Sequence, residues 1–118
     1  ALTVNPTLTC TSTTSGTTLG ATQSQTGCTG AADDDVWYSF VATSTSHVVT
    51  ATPGTISDIV LQTFSGSCGS LTSLACTDAT VTTAETTTLT GLTIGNTYYV
   101  RVYSYANGSG QGSFTMCI

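Results

Sequence analysis

The sequence predicts an all-β domain, a two-sheet β-sandwich of jelly-roll type with about eight or nine short antiparallel strands. One domain spans residues 1–118, a length that supports a single core. Three observations carry the prediction. Helical periodicity is absent, and short alternating segments are broken by Gly, Ser, Asn or Asp clusters. Threonine, whose β-branch suits a strand and whose hydroxyl tolerates water, supplies much of the polar surface. Turn signals recur at roughly 10–12 residues, the spacing of a sandwich rather than of a helical protein.

The elements follow in order. "LTVNPTL" (2–8) reads as an edge strand, because Pro6 has no N–H for a ladder. "TCTSTTSGTTLG" (9–20) is low in complexity and reads as a tethered loop or edge, and "TLGATQS" (18–24) as a weak strand. "DVWYSFVA" (35–42) is the clearest strand. Val36, Tyr38, Phe40 and Ala42 share one of its faces, and Trp37, Ser39 and Val41 the other. "SHVVTAT" (46–52), "DIVLQTFSG" (58–66), "LTSLAC" (71–76) and "ETTTLTG" (85–91) come next. "TYYVRVYSY" (97–105) and "GSFTMCI" (112–118) close the chain across the turn signal "ANGSGQG". In "LTIGNTYYVRV", Tyr98 stands where a tyrosine corner places a Tyr that bonds back to upstream backbone. Tyr98, Val100 and Val102 then face the core, and Tyr99, Arg101, Tyr103 and Tyr105 face away.

Charge excludes several functions. Only 6% of residues are charged, the formal net charge is −5, and Arg101 is the single Lys or Arg. Nucleic acid needs several cations for its phosphates, so it is excluded as a partner, as are anionic lipid surfaces. No apolar run reaches the roughly 18 residues of a spanning helix, so no membrane insertion is expected. The partners that fit are neutral: a glycan, a protein surface, or other copies of the chain itself.

The five cysteines, in a chain without lysine, indicate disulfides in an oxidising, extracellular compartment. The sequence leaves connectivity open. Proximity along the chain favours Cys10–Cys28 and Cys68–Cys76, leaving Cys117 unpaired or intermolecular. The chain has neither an initiating Met nor a signal-peptide pattern, which reads as a processed piece of a longer protein. An upstream cysteine is then a natural partner for Cys117.

"DDDVWYSFVA", "SDIVLQTFSGSCGS", "LTGLTIGNTYYVRVYSY" and the closing "GSFTMCI" together resemble the bacterial pre-peptidase C-terminal-type domain. The likeness is to its cysteine-bearing version in large secreted Bacteroidota proteins, and it runs from about Cys10 to Ile118. It implies a jelly-roll sandwich that is a non-catalytic appendage of secreted proteases or adhesins. It also implies relatives that bind calcium, collagen or polysaccharide. Members of this version often carry an upstream Asn-Asp-x-Cys segment, whose absence here fits a Cys117 without its partner.

Two groups of residues are candidate sites. Asp33, Asp34 and Asp35 precede a strand, and Asp58 stands at a similar strand start. With backbone carbonyls they are candidate ligands for calcium, which takes six to eight oxygens. The alternative is a solvated loop. Tyr99, Arg101, Tyr103 and Tyr105 form an aromatic stripe suited to stacking on sugar rings or to a protein interface. The alternative is cross-strand packing, with Arg101 over a ring or beside an acid. Trp37 either stacks on a ligand or anchors packing, and packing is the expectation. Catalysis is not expected, since the chain has one His, no Lys and no Gly-x-Ser-x-Gly elbow.

The function that follows is a secreted, non-catalytic module for cell-surface adhesion or extracellular assembly, as a stalk, tandem array or filament subunit. The alternative is a carbohydrate-binding module appended to a secreted enzyme, with a structural calcium.

Overall fold

The computed structural model describes all residues from Ala1 to Ile118. It contains strands β1 (Thr14–Thr17), β2 (Val36–Val41), β3 (Ser46–Pro53), β4 (Ile59–Ser67), β5 (Ser70–Thr77), β6 (Glu85–Thr90), β7 (Thr97–Ser104) and β8 (Ser113–Cys117). They form two four-stranded sheets, ordered β1-β8-β3-β6 and β2-β7-β4-β5, and every pairing is antiparallel. The all-β sandwich expected from strand spacing is the fold observed. No helix is long and apolar enough to cross a membrane.

Alternation builds the core. Phe40 on β2, Val100 and Val102 on β7, and Ile59 and Leu61 on β4 face Val49 and Ala51 on β3, Leu89 on β6, and Phe114 and Met116 on β8. Each of these side chains is buried, and burying one is worth about 1.5–3 kcal/mol for Val, Leu, Ile, Phe or Met. The tyrosine corner is present: the Thr93 backbone N–H donates to the Tyr98 hydroxyl at 2.9 Å. Gly95 supports it with a φ of 87°, a left-handed conformation that costs glycine little.

Two expected strands are absent. Residues 2–8 make isolated backbone bonds, Leu2 N to Ser39 O and Asn5 N to Ile118 O, without forming a ladder. Residues 18–24 are turn and coil. The first strand is instead β1, inside the low-complexity stretch, paired with β8 from Thr14↔Met116 to Thr17↔Ser113. Its position rests on backbone pairing and a close approach, with no apolar pattern of its own. A Cβ on Gly16 would lie 2.6 Å from Phe114 Cζ, so a larger residue there would have to displace the buried Phe114 ring.

The disulfides correct the expected pairing. Cys10 joins Cys117, and Cys28 joins Cys76, with Cα separations of 5.9 and 6.2 Å. Cys68 is the free cysteine, and it is exposed. Sequence proximity misleads because Cys68 sits at the tip of the β4–β5 hairpin, beyond the Ser67↔Ser70 pair, while Cys76 lies near the far end of β5. Six residues of extended strand separate Ser70 from Cys76, roughly 20 Å at 3.3 Å per residue. A disulfide tolerates about 7 Å between Cα atoms. Cys10 and Cys28 are likewise drawn to different elements, one to the end of β8 and one to β5.

Candidate ligand groove

The outward face of the β2-β7-β4-β5 sheet carries the residues of interest. Register places Trp37 opposite Arg101, Ser39 opposite Tyr99, Gln62 opposite Arg101 and Phe64 opposite Tyr99. All therefore share the face that alternation assigns away from the main core. Part of that face is covered by residues 24–35, which lie between β1 and β2 in the chain and contact Arg101, Tyr103 and β5.

Arg101 and Tyr103 hold this cover in place. Both are fully buried, so the sequence-based reading of them as an available face is overturned. Alternation gave the right side of the strand and gave no sign of the cover. Arg101 donates to the carbonyls of Gln25 at 2.7 Å and Thr26 at 3.0 Å. Its Nε lies 2.9 Å from Asp35 Oδ2, an ion pair in which the N–H is not aimed along the contact. The guanidinium also lies over the Tyr103 and Trp37 rings, at 4.8 and 5.5 Å from their centroids. Burial lowers the Arg101 pKa from its ordinary value, and Asp35 opposes that shift. The Tyr103 hydroxyl donates to Thr29 O at 2.7 Å and accepts from the Cys28 and Thr29 N–H groups. Ala32, Val60 and Tyr103 make a small second core beneath. The Cys28–Cys76 bond ties the cover to β5.

The acidic run has the same role. Asp34 accepts from Ser104 N and Oγ, Asp35 from Ser24 N and Oγ and from Trp37 Nε1, and Asp33 from Gly108 N. These carboxylates point to three separate places. Asp58, at a left-handed φ of 53°, lies near Asp78 instead, whose pKa is raised by burial first and then by Asp58 and Glu85. Glu85 is spent on Ala79 N and on Thr80 N and Oγ1. No three acidic, His or Cys side chains converge as a metal set, so Asp33, Asp34, Asp35 and Asp58 are not brought together.

The uncovered part of the face is an open groove of about 520 Å³. Trp37 and Tyr99 give it half-buried aromatic surface, Leu71 an aliphatic side, and Ser24, Gln25 and Ser39 polar groups. Cys68 and Gly69 of the β4–β5 hairpin tip form its rim. Trp37 is also a packing residue, as expected. Its ring lies 5.0 Å from that of Phe64, and its Nε1–H donates to Ser24 Oγ at 2.9 Å. The neighbouring Cys68 thiol raises the Tyr99 pKa above its ordinary value. Tyr105 is exposed but lies elsewhere, with its ring against Gly30. Of the expected aromatic face, the groove thus keeps Trp37 and Tyr99. Ser24, Gln25, Ser39 and Leu71 were not expected from the sequence, and no local motif marks them.

His47 is not arranged for catalysis. It is buried against Phe40, and its Nε2 accepts the Thr43 and Ser44 backbone N–H groups.

Fold and groove define a disulfide-stapled β-sandwich with one partly covered sheet face. The galactose-binding-domain-like family associated with the type IX secretion system matches residues 1–116, and the chain belongs to it. Membership places the chain among secreted or cell-surface proteins of Bacteroidota. The sandwich and the Bacteroidota setting implied by the motif resemblance stand, while the family is this one and not specifically the pre-peptidase C-terminal domain. No curated protein and no solved structure gives a significant match.

Proposed function

We propose that the chain is a non-catalytic module that attaches its parent protein to a surface by binding a neutral glycan in the Trp37–Tyr99 groove. The observation that carries this reading is the groove's lining: aromatic and aliphatic surface beside hydroxyl and amide groups, with no charged side chain among them. A sugar ring offers an apolar face for stacking and hydroxyls for hydrogen bonding, which is what such a lining complements. The family's galactose-binding-like description supports the same choice. Selectivity should favour neutral over acidic sugars, because the chain's only Lys or Arg side chain is buried against Asp35 and out of ligand reach.

Affinity electrophoresis through gels containing neutral polysaccharides tests this directly. Wild-type protein is expected to be retarded by at least one neutral polymer and to pass freely through a polyuronate. Tyr99→Ala should weaken retention at least about tenfold, equivalent to about 1.4 kcal/mol. Equal mobility of wild type and Tyr99→Ala in every neutral gel would contradict the proposal.

A further inference from the structure

We propose that the buried Asp35–Arg101 pair is the positioning device of this groove, fixing its Ser24–Gln25 wall and the Trp37 indole relative to Tyr99 without touching ligand. The inference rests on the glycan reading for its purpose and on separate geometry for its substance. Neither side chain reaches the groove: Asp35 is 5% exposed and Arg101 0%. Yet nearly all their polar contacts run to groove-lining residues. Asp35 accepts from Ser24 N at 2.9 Å, from Ser24 Oγ, and from Trp37 Nε1 at 3.2 Å. Arg101 holds Gln25 O at 2.7 Å and the neighbouring Thr26 O at 3.0 Å, and lies over the indole. Ser24, Gln25 and Trp37 all line the groove.

General stability does not account for this placement. A buried ion pair costs desolvation of both charges and is often no more stabilising than well-packed apolar residues of the same volume. What the pair supplies is direction. A carboxylate with several accepting sites and a forked cation fix the wall and the ring at the same time. Residues 22–26 are themselves exposed and contain no regular structure, and the other ties of the cover, the Cys28–Cys76 bond and the Tyr103 hydroxyl, act beyond them at residues 28 and 29. A binding surface held in its bound geometry loses less conformational freedom on association.

The test uses Asp35→Asn and Arg101→Lys. The amide of Asp35→Asn keeps one accepting oxygen in place of two, so either the Ser24 N–H or the Ser24 Oγ and Trp37 Nε1 donors lose their acceptor, and the charge facing Arg101 is removed. Arg101→Lys keeps the charge and loses the fork that grips two carbonyls. Trp37 is the only tryptophan, so its fluorescence reports the groove alone. Both variants are measured well below their melting temperatures. Leu89→Ala, in the core of the opposite sheet, serves as a control for destabilisation alone. The expected result is a changed Trp37 emission and at least about a tenfold loss of neutral-oligosaccharide affinity in whichever pair variant folds, with neither change in Leu89→Ala. Wild-type emission in the folded pair variants, or an affinity loss no larger than that of Leu89→Ala, overturns the proposal. A wild-type protein that binds no neutral sugar overturns the glycan reading instead. The emission arm then decides the pair alone, a shift upholding its hold on the wall and no shift overturning it.

Discussion

Arg101 and His47 show how far a single residue can be read in advance. That Arg101 faces away from the main core follows from alternation with Val100 and Val102. That it is buried anyway does not follow, because the cover over it is held by carbonyls and carboxylates and carries no apolar pattern. His47 is the converse case, a residue in plain alternation whose ring completes a turn. Its Nε2 accepts from Thr43 and Ser44 at 3.1 and 3.2 Å, and a protonated ring loses that acceptor. Burial lowers its pKa, so the unfolded chain binds the proton more readily. Its contribution to stability is fully present above the unfolded value of about 6.5 and is lost as pH falls below it towards the folded value. Asp78 acts in the opposite sense at lower pH, since its raised pKa makes protonation favour the folded state. Melting temperature should therefore fall as pH drops from 7.5 through about 6, and His47→Gln, which keeps an acceptor that does not titrate, should flatten that slope. An unchanged slope in His47→Gln contradicts this account of the ring.

Among the elements, β2 to β8 were legible because each combines alternation with a bounding turn. The region before β2 was not. β1 has no apolar side chain to announce it, and residues 24–35 are ordered by tertiary contacts alone. The cysteines mislead for the same reason, since pairing follows which elements lie together and not which residues are near in sequence. The cover depends on its disulfide. Cys28–Cys76 closes a separation of 48 residues, worth roughly 4 kcal/mol in the chain-entropy model. The double variant Cys28→Ser, Cys76→Ser should lose stability of that order in denaturant unfolding. Thiol titration of the unreduced wild-type protein should find one reactive group, and peptide mapping should place it at Cys68. A free thiol at Cys117 would restore the pairing that proximity suggests and would undo the present account of the cover.

At the scale of the whole molecule, the two outer faces differ. The β1-β8-β3-β6 sheet presents hydroxyls, as where Thr50 meets Thr86 at 3.1 Å. The β2-β7-β4-β5 sheet is divided into a covered part, locked by Arg101, Tyr103 and the Asp33–Asp35 run, and an open part around Trp37 and Tyr99. The sequence indicated a neutral partner through its lack of cations, and that constraint still guides the functional proposal. It did not locate the groove, because the groove exists only where the cover stops. The most direct measurement is a two-dimensional NMR titration of the protein with a neutral oligosaccharide and with a uronic-acid oligosaccharide of matched length. The account predicts that only the neutral sugar shifts resonances, and that the shifts cluster at Ser24, Gln25, Trp37, Ser39, Leu71 and Tyr99. Shifts centred outside that groove, or an equal response to the acidic sugar, would contradict it.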